Sequence, residues 1–197
     1  IVDECHHAAA VTNENVLRAV TARRVYGMSA TIQRGDRQDK KMLMQLGPIR
    51  HRYTAKERAQ KQGIGHYIYP RFTRLVDLNP SEGKNPSDYY RLIMQSELRN
   101  MQVVSDTIDC GKRGRTPVIM TKYKEHAQKL YDMLQGSADH VFLLQGGKSL
   151  KERSAIREQM AAVRADESII LVAIGQYVGE GFNYPRLDTM LLAMPIS

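Results

Sequence analysis

Ile1-Val2-Asp3-Glu4-Cys5-His6-His7 is the stretch whose reading decides the fold of this 197-residue chain. Two apolar residues lead into two adjacent carboxylates and then into Cys-His. Buried strands of parallel α/β sheets are short apolar runs, and ligands bind beyond their carboxyl ends. Asp-Glu at such an end sends two acidic side chains in different directions, so they can divide work. One can hold a hydrated Mg2+ while the other orients and polarises a water. A bare acid pair also fits a solvated strand end, so the residues downstream must decide between the two.

Downstream, residues 12–20 carry a short helical pattern, with Val16, Leu17 and Val20 apolar and Asn15 and Arg18 polar. Residues 24–27 read as a strand running into Met28-Ser29-Ala30-Thr31, which makes a βαβ unit with the first stretch. Residues 34–41 are a charged loop. Residues 42–46 are a short apolar segment broken by Gly47-Pro48, and 49–53 alternate like a strand with a basic face. Thr54-Ala55-Lys56-Glu57 is a capping box that opens a helix ended by Gly63. Residues 66–75 are extended and interleave aromatic with basic side chains. That composition suits a nucleic-acid surface, and it equally suits an edge hairpin with snorkelling arginines.

Residues 79–86 hold two prolines, a glycine and no apolar side chain, and mark a linker between a first domain (1–78) and a second (87–197). Ser87 is expected to cap one long helix to about Cys110, with Tyr90, Ile93, Met94, Leu98, Met101 and Val104 facing the core. Strands at 117–121, 140–144, 168–174 and 189–195 then alternate with helices at 124–134 and 149–163, the latter opened by a second capping box, Ser149 to Glu152. Strand–helix alternation with continuously apolar strands specifies a parallel sheet covered on both faces.

Asp3-Glu4-Cys5-His6 resembles motif II, in its DECH form, of the superfamily 2 DEAD/DEAH-box helicases. Ser29-Ala30-Thr31, one strand later, resembles motif III, although Ile32 stands where a proline is frequent. Residues 175–188, with Gly179-Glu180-Gly181-Phe182-Asn183 at their centre, resemble motif V in the form found in the restriction-type and conflict-system branch; Asn183 replaces the usual Asp, which keeps an acceptor and loses the charge. The generic strand 117–121 sits where motif IV falls. The resemblance implies two RecA-like lobes of P-loop NTPase type, the first truncated, from an ATP-dependent helicase. It implies that Asp3 holds Mg2+ through water and that Glu4 orients the water attacking the γ-phosphate of ATP. His6, Ser29 and Thr31 would couple hydrolysis to domain movement, and Gly179, Glu180, Gly181 and Asn183 would sense nucleotide from the second lobe. Thr121 is a candidate phosphate contact to nucleic acid. Gln145 and Gly146 can offer backbone amides to the same strand.

Gly146-Gly147-Lys148-Ser149 imitates the end of a phosphate loop, but Phe142 occupies the position of the first required glycine, so it reads as a strand-to-helix turn. The phosphate loop and the arginine-rich motif VI of the family are expected in adjoining sequence. Only two apolar residues precede the acid pair, and the chain reads as an excerpt of a longer protein that has little ATPase activity by itself.

The net charge is +8, and residues 1–77 carry 14 Lys and Arg against 7 Asp and Glu. The excess is densest from Arg34 through Arg50 and Arg52 to Lys61, where it can neutralise nucleic-acid phosphates or simply coat a solvated surface. No apolar run approaches the roughly 18–20 residues a membrane helix needs. Two cysteines, Cys5 and Cys110, do not make a disulfide framework and point to the cytoplasm, and the scattered histidines lack zinc-site spacing. Taken together, the residues and the resemblance lead to an ATP- and Mg2+-dependent motor on DNA, with RNA possible and no membrane. Two other readings remain open. One is a motor subunit of a restriction or conflict system, linked to nuclease domains, that translocates without unwinding. The other is a non-catalytic nucleic-acid-binding module.

Overall fold

The computed structural model describes residues 1–30, 39–63, 65–73, 75, 85–145, 150–175, 178 and 182–195. The chain divides into two units, Ile1–Tyr69 and Pro70–Ser197.

In the first unit, a single parallel bridge joins Val2 to Gly27. The Val2 amide donates to the Tyr26 carbonyl at 2.7 Å, and the Met28 amide donates to the Val2 carbonyl at 2.9 Å. The strand expected at 24–27 is therefore reduced to one bridge, because Val2 is its only partner among the described residues. A 3-10 turn over Cys5–His7 follows, then helix α1 (Val11–Ala19) and helix α2 (Asp39–Leu46). Glu14 of α1 receives both Arg18, one turn on, and Lys41 of α2 at 3.0 Å. A small core of Cys5, Ala8 and Met42, edged by Val2, Leu17, Leu43 and Leu46, holds the turn against the helices.

Residues 49–53 form no strand: a strand needs a ladder partner, and none of the described residues pairs with them. Helix α3 (Ala55–Gln62) has the expected capping box, with the Glu57 amide donating to Thr54 Oγ1 and the Thr54 amide donating to the Glu57 carboxylate. Gly63 closes it at φ +64, a left-handed conformation that favours glycine.

The second unit is an α/β sheet. Strands β1 (Pro117–Thr121), β2 (His140–Leu144), β3 (Ile169–Ile174) and β4 (Thr189–Leu192) lie in the order β2-β3-β1-β4, all parallel. Every residue of β1 and β3 is buried, which is why these two read as continuous apolar runs. Successive side chains alternate between faces. Ile119, Leu143, Ile170, Val172 and Ile174 meet helices α5 (Glu97–Lys112) and α6 (Lys124–Met133). Val118, Met120, Leu144, Leu171 and Ala173 meet Ile156 and Met160 of helix α7 (Leu150–Ala162) and the segment 182–187.

The single long helix expected from Ser87 is two. Helix α4 (Pro86–Gln95) is capped by Asn85 through a reciprocal box with Asp88, and Ser96 breaks the chain before α5. Ser96 is extended (φ −68, ψ 100) and serves both as the last cap of α4 and as the first of α5. The break resets the helical phase, so Leu98 and Met101 face solvent while Asn100, Val103, Val104 and Thr107 turn inward. Of the linker expected at 79–86, residues 79–84 lie outside the described residues, as does Ser149 of the second capping box.

Candidate active site

The acid pair is built by the backbone before any side chain is considered. After the Val2 bridge, the Cys5 amide donates to the Met28 carbonyl at 2.9 Å, and the chain turns into the 3-10 helix. To make that turn Glu4 takes φ +46, ψ 46, the only non-glycine among the described residues with positive φ. A side chain in that region costs about 1–2 kcal/mol and is found where the surroundings over-determine it, frequently at functional sites. The turn separates the two carboxylates. Asp3 is exposed, and its Oδ1 accepts the Glu4 amide at 2.9 Å. Glu4 is half-buried and its Oε2 lies 3.2 Å from His6 Nδ1.

His6 joins the two sequence motifs. Its Nδ1 lies 2.8 Å from Ser29 Oγ, across 23 residues of sequence. Two oxygens, Ser29 Oγ and Glu4 Oε2, thus lie within reach of one ring nitrogen. Close approach at Gly27 makes this possible. A Cβ there would stand 2.8 Å from Leu46 Cδ1 and 2.9 Å from Cys5 Sγ. Burial pushes the Cys5 thiol up, so Cys5 fills the core as a neutral small side chain.

Thr31, Arg34, Gly146, Gly179, Glu180 and Gly181 lie outside the described residues. Arg50 and Arg52 are exposed on the irregular segment before α3. Gln145 follows β2 half-buried, with Oε1 enclosed and lacking a hydrogen-bond partner among the described residues. Asn183 is exposed beside α7.

Thr121 does not offer its hydroxyl to a phosphate in this conformation. It is 1% exposed, and Oγ1 pairs with His126 Nδ1 at 2.8 Å. His126 Nε2 meets Asn100 Oδ1 at 3.0 Å, while Asn100 Nδ2 donates to the Met94 carbonyl at 2.8 Å. With the amide nitrogen so used, Asn100 Oδ1 must accept, His126 carries its proton on Nε2, and Thr121 donates to Nδ1. Burial, then repulsion from Arg99 and Lys129, lowers the His126 pKa to about 4.

Comparison with known proteins adds little to this geometry. No family model matches the chain. No curated protein matches it. Among solved structures, the crystal structure of T4 UvsW is similar over 58% of this chain and 23% of that one, at 19% identity and a TM-score of 0.48. The chain thus spans under a quarter of that protein.

Sequence reasoning named Asp3, Glu4, His6 and Ser29, and the structure brings these four together. It missed the left-handed backbone at Glu4, for which no glycine or asparagine gave a signal, and it missed the buried Thr121–His126–Asn100 chain. The signal for that chain was present: a histidine five residues after a strand-ending threonine, on the inward face of α6. Among the described residues no group of three or more His, Cys, Asp and Glu side chains is placed to hold a metal ion, and no helix is long and apolar enough to cross a membrane.

Proposed function

We propose that this chain is part of a nucleic-acid-dependent ATPase of helicase type, in which hydrolysis of ATP drives movement on DNA. The observation that supports this reading is the hydrogen bond between His6 and Ser29 at 2.8 Å, which links an acid pair at a strand end to the next strand's hydroxyl residue. A solvated strand end has no need of such a link, of a strained glutamate, or of the glycine that lets the two segments touch.

The residues present fit a hydrated Mg2+, since Asp3 offers an exposed carboxylate whose Oδ1 already takes the Glu4 amide. Bound Mg2+ and ATP would supply the electrophilic γ-phosphate and the charge neutralisation that phosphoryl transfer requires. Asp3 would hold the cation through water. Glu4, held beside the His6 ring, would orient and polarise the attacking water. A change at Glu4 would reach Ser29 through His6, which gives hydrolysis a route into the second strand. The cradle for the β- and γ-phosphates falls, in this reading, outside these 197 residues. Exposed Arg50 and Arg52 belong to the surface that would carry the nucleic-acid strand.

The test is Glu4→Gln in the polypeptide that includes the phosphate cradle, followed by phosphate release with single-stranded DNA present. Turnover should fall at least a hundredfold while binding of a fluorescent ATP analogue persists, a loss of more than about 2.7 kcal/mol in transition-state stabilisation. Turnover equal to that of the unaltered protein would remove Glu4 from the reaction and with it this assignment.

A further inference from the structure

Segment 182–188 runs beside α7 and is tied both to the helix and to the turn that follows it. Tyr184 Oη donates to the Met160 carbonyl at 2.9 Å. Further along, the Arg186 guanidinium donates to the Arg164 carbonyl at 2.9 Å and to the Glu167 carbonyl at 2.7 Å. Phe182, Tyr184 and Leu187 pack onto the core around Met160. Between this segment and the helix lies a cleft of about 330 Å³, within the range of small-ligand sites, about 300–1,000 Å³.

The chemistry of the cleft is unlike that of an anion site. Its floor is Met160 and Phe182, and its rim carries Arg157, Glu158, Ser154 and Asn183. Among the described lining residues Arg157 is the one cation and Glu158 the one anion, so their charges balance. The cleft offers a planar guanidinium and an aromatic ring on the same side, with the Arg157 carbon 5.5 Å from the Phe182 centroid. A planar ring slipped between them needs two contact distances, about 7 Å in all. Arg157 is exposed on α7, so a rotamer change supplies the remaining ångström or so. The Asn183 amide and the Glu158 carboxylate then provide donors and an acceptor at the edge of the ring. Unpaired bases are bound in this manner, stacked on an aromatic face or a guanidinium plane and read along an edge.

We propose that the cleft between α7 and residues 182–184 is a pocket for an unpaired nucleobase, stacked between Arg157 and Phe182 and hydrogen-bonded by Asn183. The proposal rests on the reading of the chain as nucleic-acid-dependent, and it places a base contact within the second unit. The base belongs to a single strand; a free mononucleotide offers the same ring.

Fluorescence anisotropy of the full chain with labelled single-stranded oligodeoxyadenylate, beside an abasic strand of the same length and charge, tests it. The base-bearing strand should bind about tenfold tighter than the abasic one, as one stacked base is worth. Phe182→Leu keeps apolar volume without the ring, and Arg157→Lys keeps the charge without the plane. Each should erase most of the tenfold difference and leave the abasic affinity in place, whereas Phe182→Tyr should retain it. If dAMP alone removes the difference in competition, the same pocket serves free nucleotide as well. Equal affinity for the two strands, or a difference that both Phe182→Leu and Arg157→Lys leave intact, overturns the pocket while leaving the nucleic-acid reading standing. Failure of both strands to bind overturns both together.

Discussion

His126 should make the second unit acid-sensitive by a calculable amount. The imidazole is fully buried and its pKa falls from 6.5 to about 4, through burial first and then through Arg99 and Lys129. Below 6.5 the unfolded chain takes up a proton that the folded chain refuses, so stability is full above that value and is lost as the pH falls toward 4. At about 1.36 kcal/mol per pKa unit, the whole window is worth about 3 kcal/mol. Between about pH 7 and pH 5 the loss is about 2 kcal/mol, since the unfolded imidazole is mostly charged at the lower value. That is a large share of the 5–15 kcal/mol typical of a domain. Urea unfolding at the two pH values, followed by circular dichroism, measures it. His126→Gln is the control. It should lower stability near neutrality by about 1–3 kcal/mol through the lost hydrogen bonds to Thr121 and Asn100. Its own loss between pH 7 and pH 5 should be smaller than that of the unaltered chain by about 2 kcal/mol. A variant with the same pH dependence as the unaltered chain would show that His126 is not the group that titrates.

Three further outcomes follow from the first unit. Gly27→Ala places a methyl within 3 Å of Leu46 and Cys5; it should cost about 1–3 kcal/mol in thermal or urea unfolding, as overpacking does, and an unchanged midpoint refutes the close approach. Thr54→Ala removes the hydroxyl that accepts the Glu57 amide, and should cost about 1 kcal/mol, read as helix content lost from α3 by amide exchange. Ser29→Ala cuts the His6 contact; in the polypeptide carrying the phosphate cradle it should leave nucleotide affinity unchanged and lower the stimulation of ATP turnover by single-stranded DNA, and full stimulation would separate Ser29 from coupling.

If the acid pair and the α7 cleft act as proposed, the two units have distinct duties. The first supplies a strained carboxylate and the histidine that reads it, and the second holds a strand by one of its bases. Salt should weaken binding to the arginines of the first unit far more than stacking in the second, because screening acts on charges and leaves ring contact almost untouched.

Much of the architecture could be read along the chain because its causes are local. Strands β1 and β3 are apolar at every position but Thr121 since both their faces are covered, and that requirement is written in consecutive residues. The box at Thr54 and the stop at Gly63 likewise involve neighbours only a few residues apart. Asp3, Glu4, His6 and Ser29 could be named from the resemblance of their motifs and the order in which these occur. Tertiary structure decided whatever depends on a distant partner. Whether 49–53 becomes a strand depends on a neighbour to pair with, and whether the helix from Pro86 continues past Ser96 depends on Asn100 turning inward to meet Met94 and His126. Thr121 looked like a surface hydroxyl at a strand end until His126, five residues on, claimed it in the core. The left-handed turn at Glu4 has the same origin. Its cost is offset by the bridge at Gly27, the Met28 carbonyl and the Ser29 hydroxyl, all more than 20 residues away, and no local preference of Asp-Glu-Cys-His reports them.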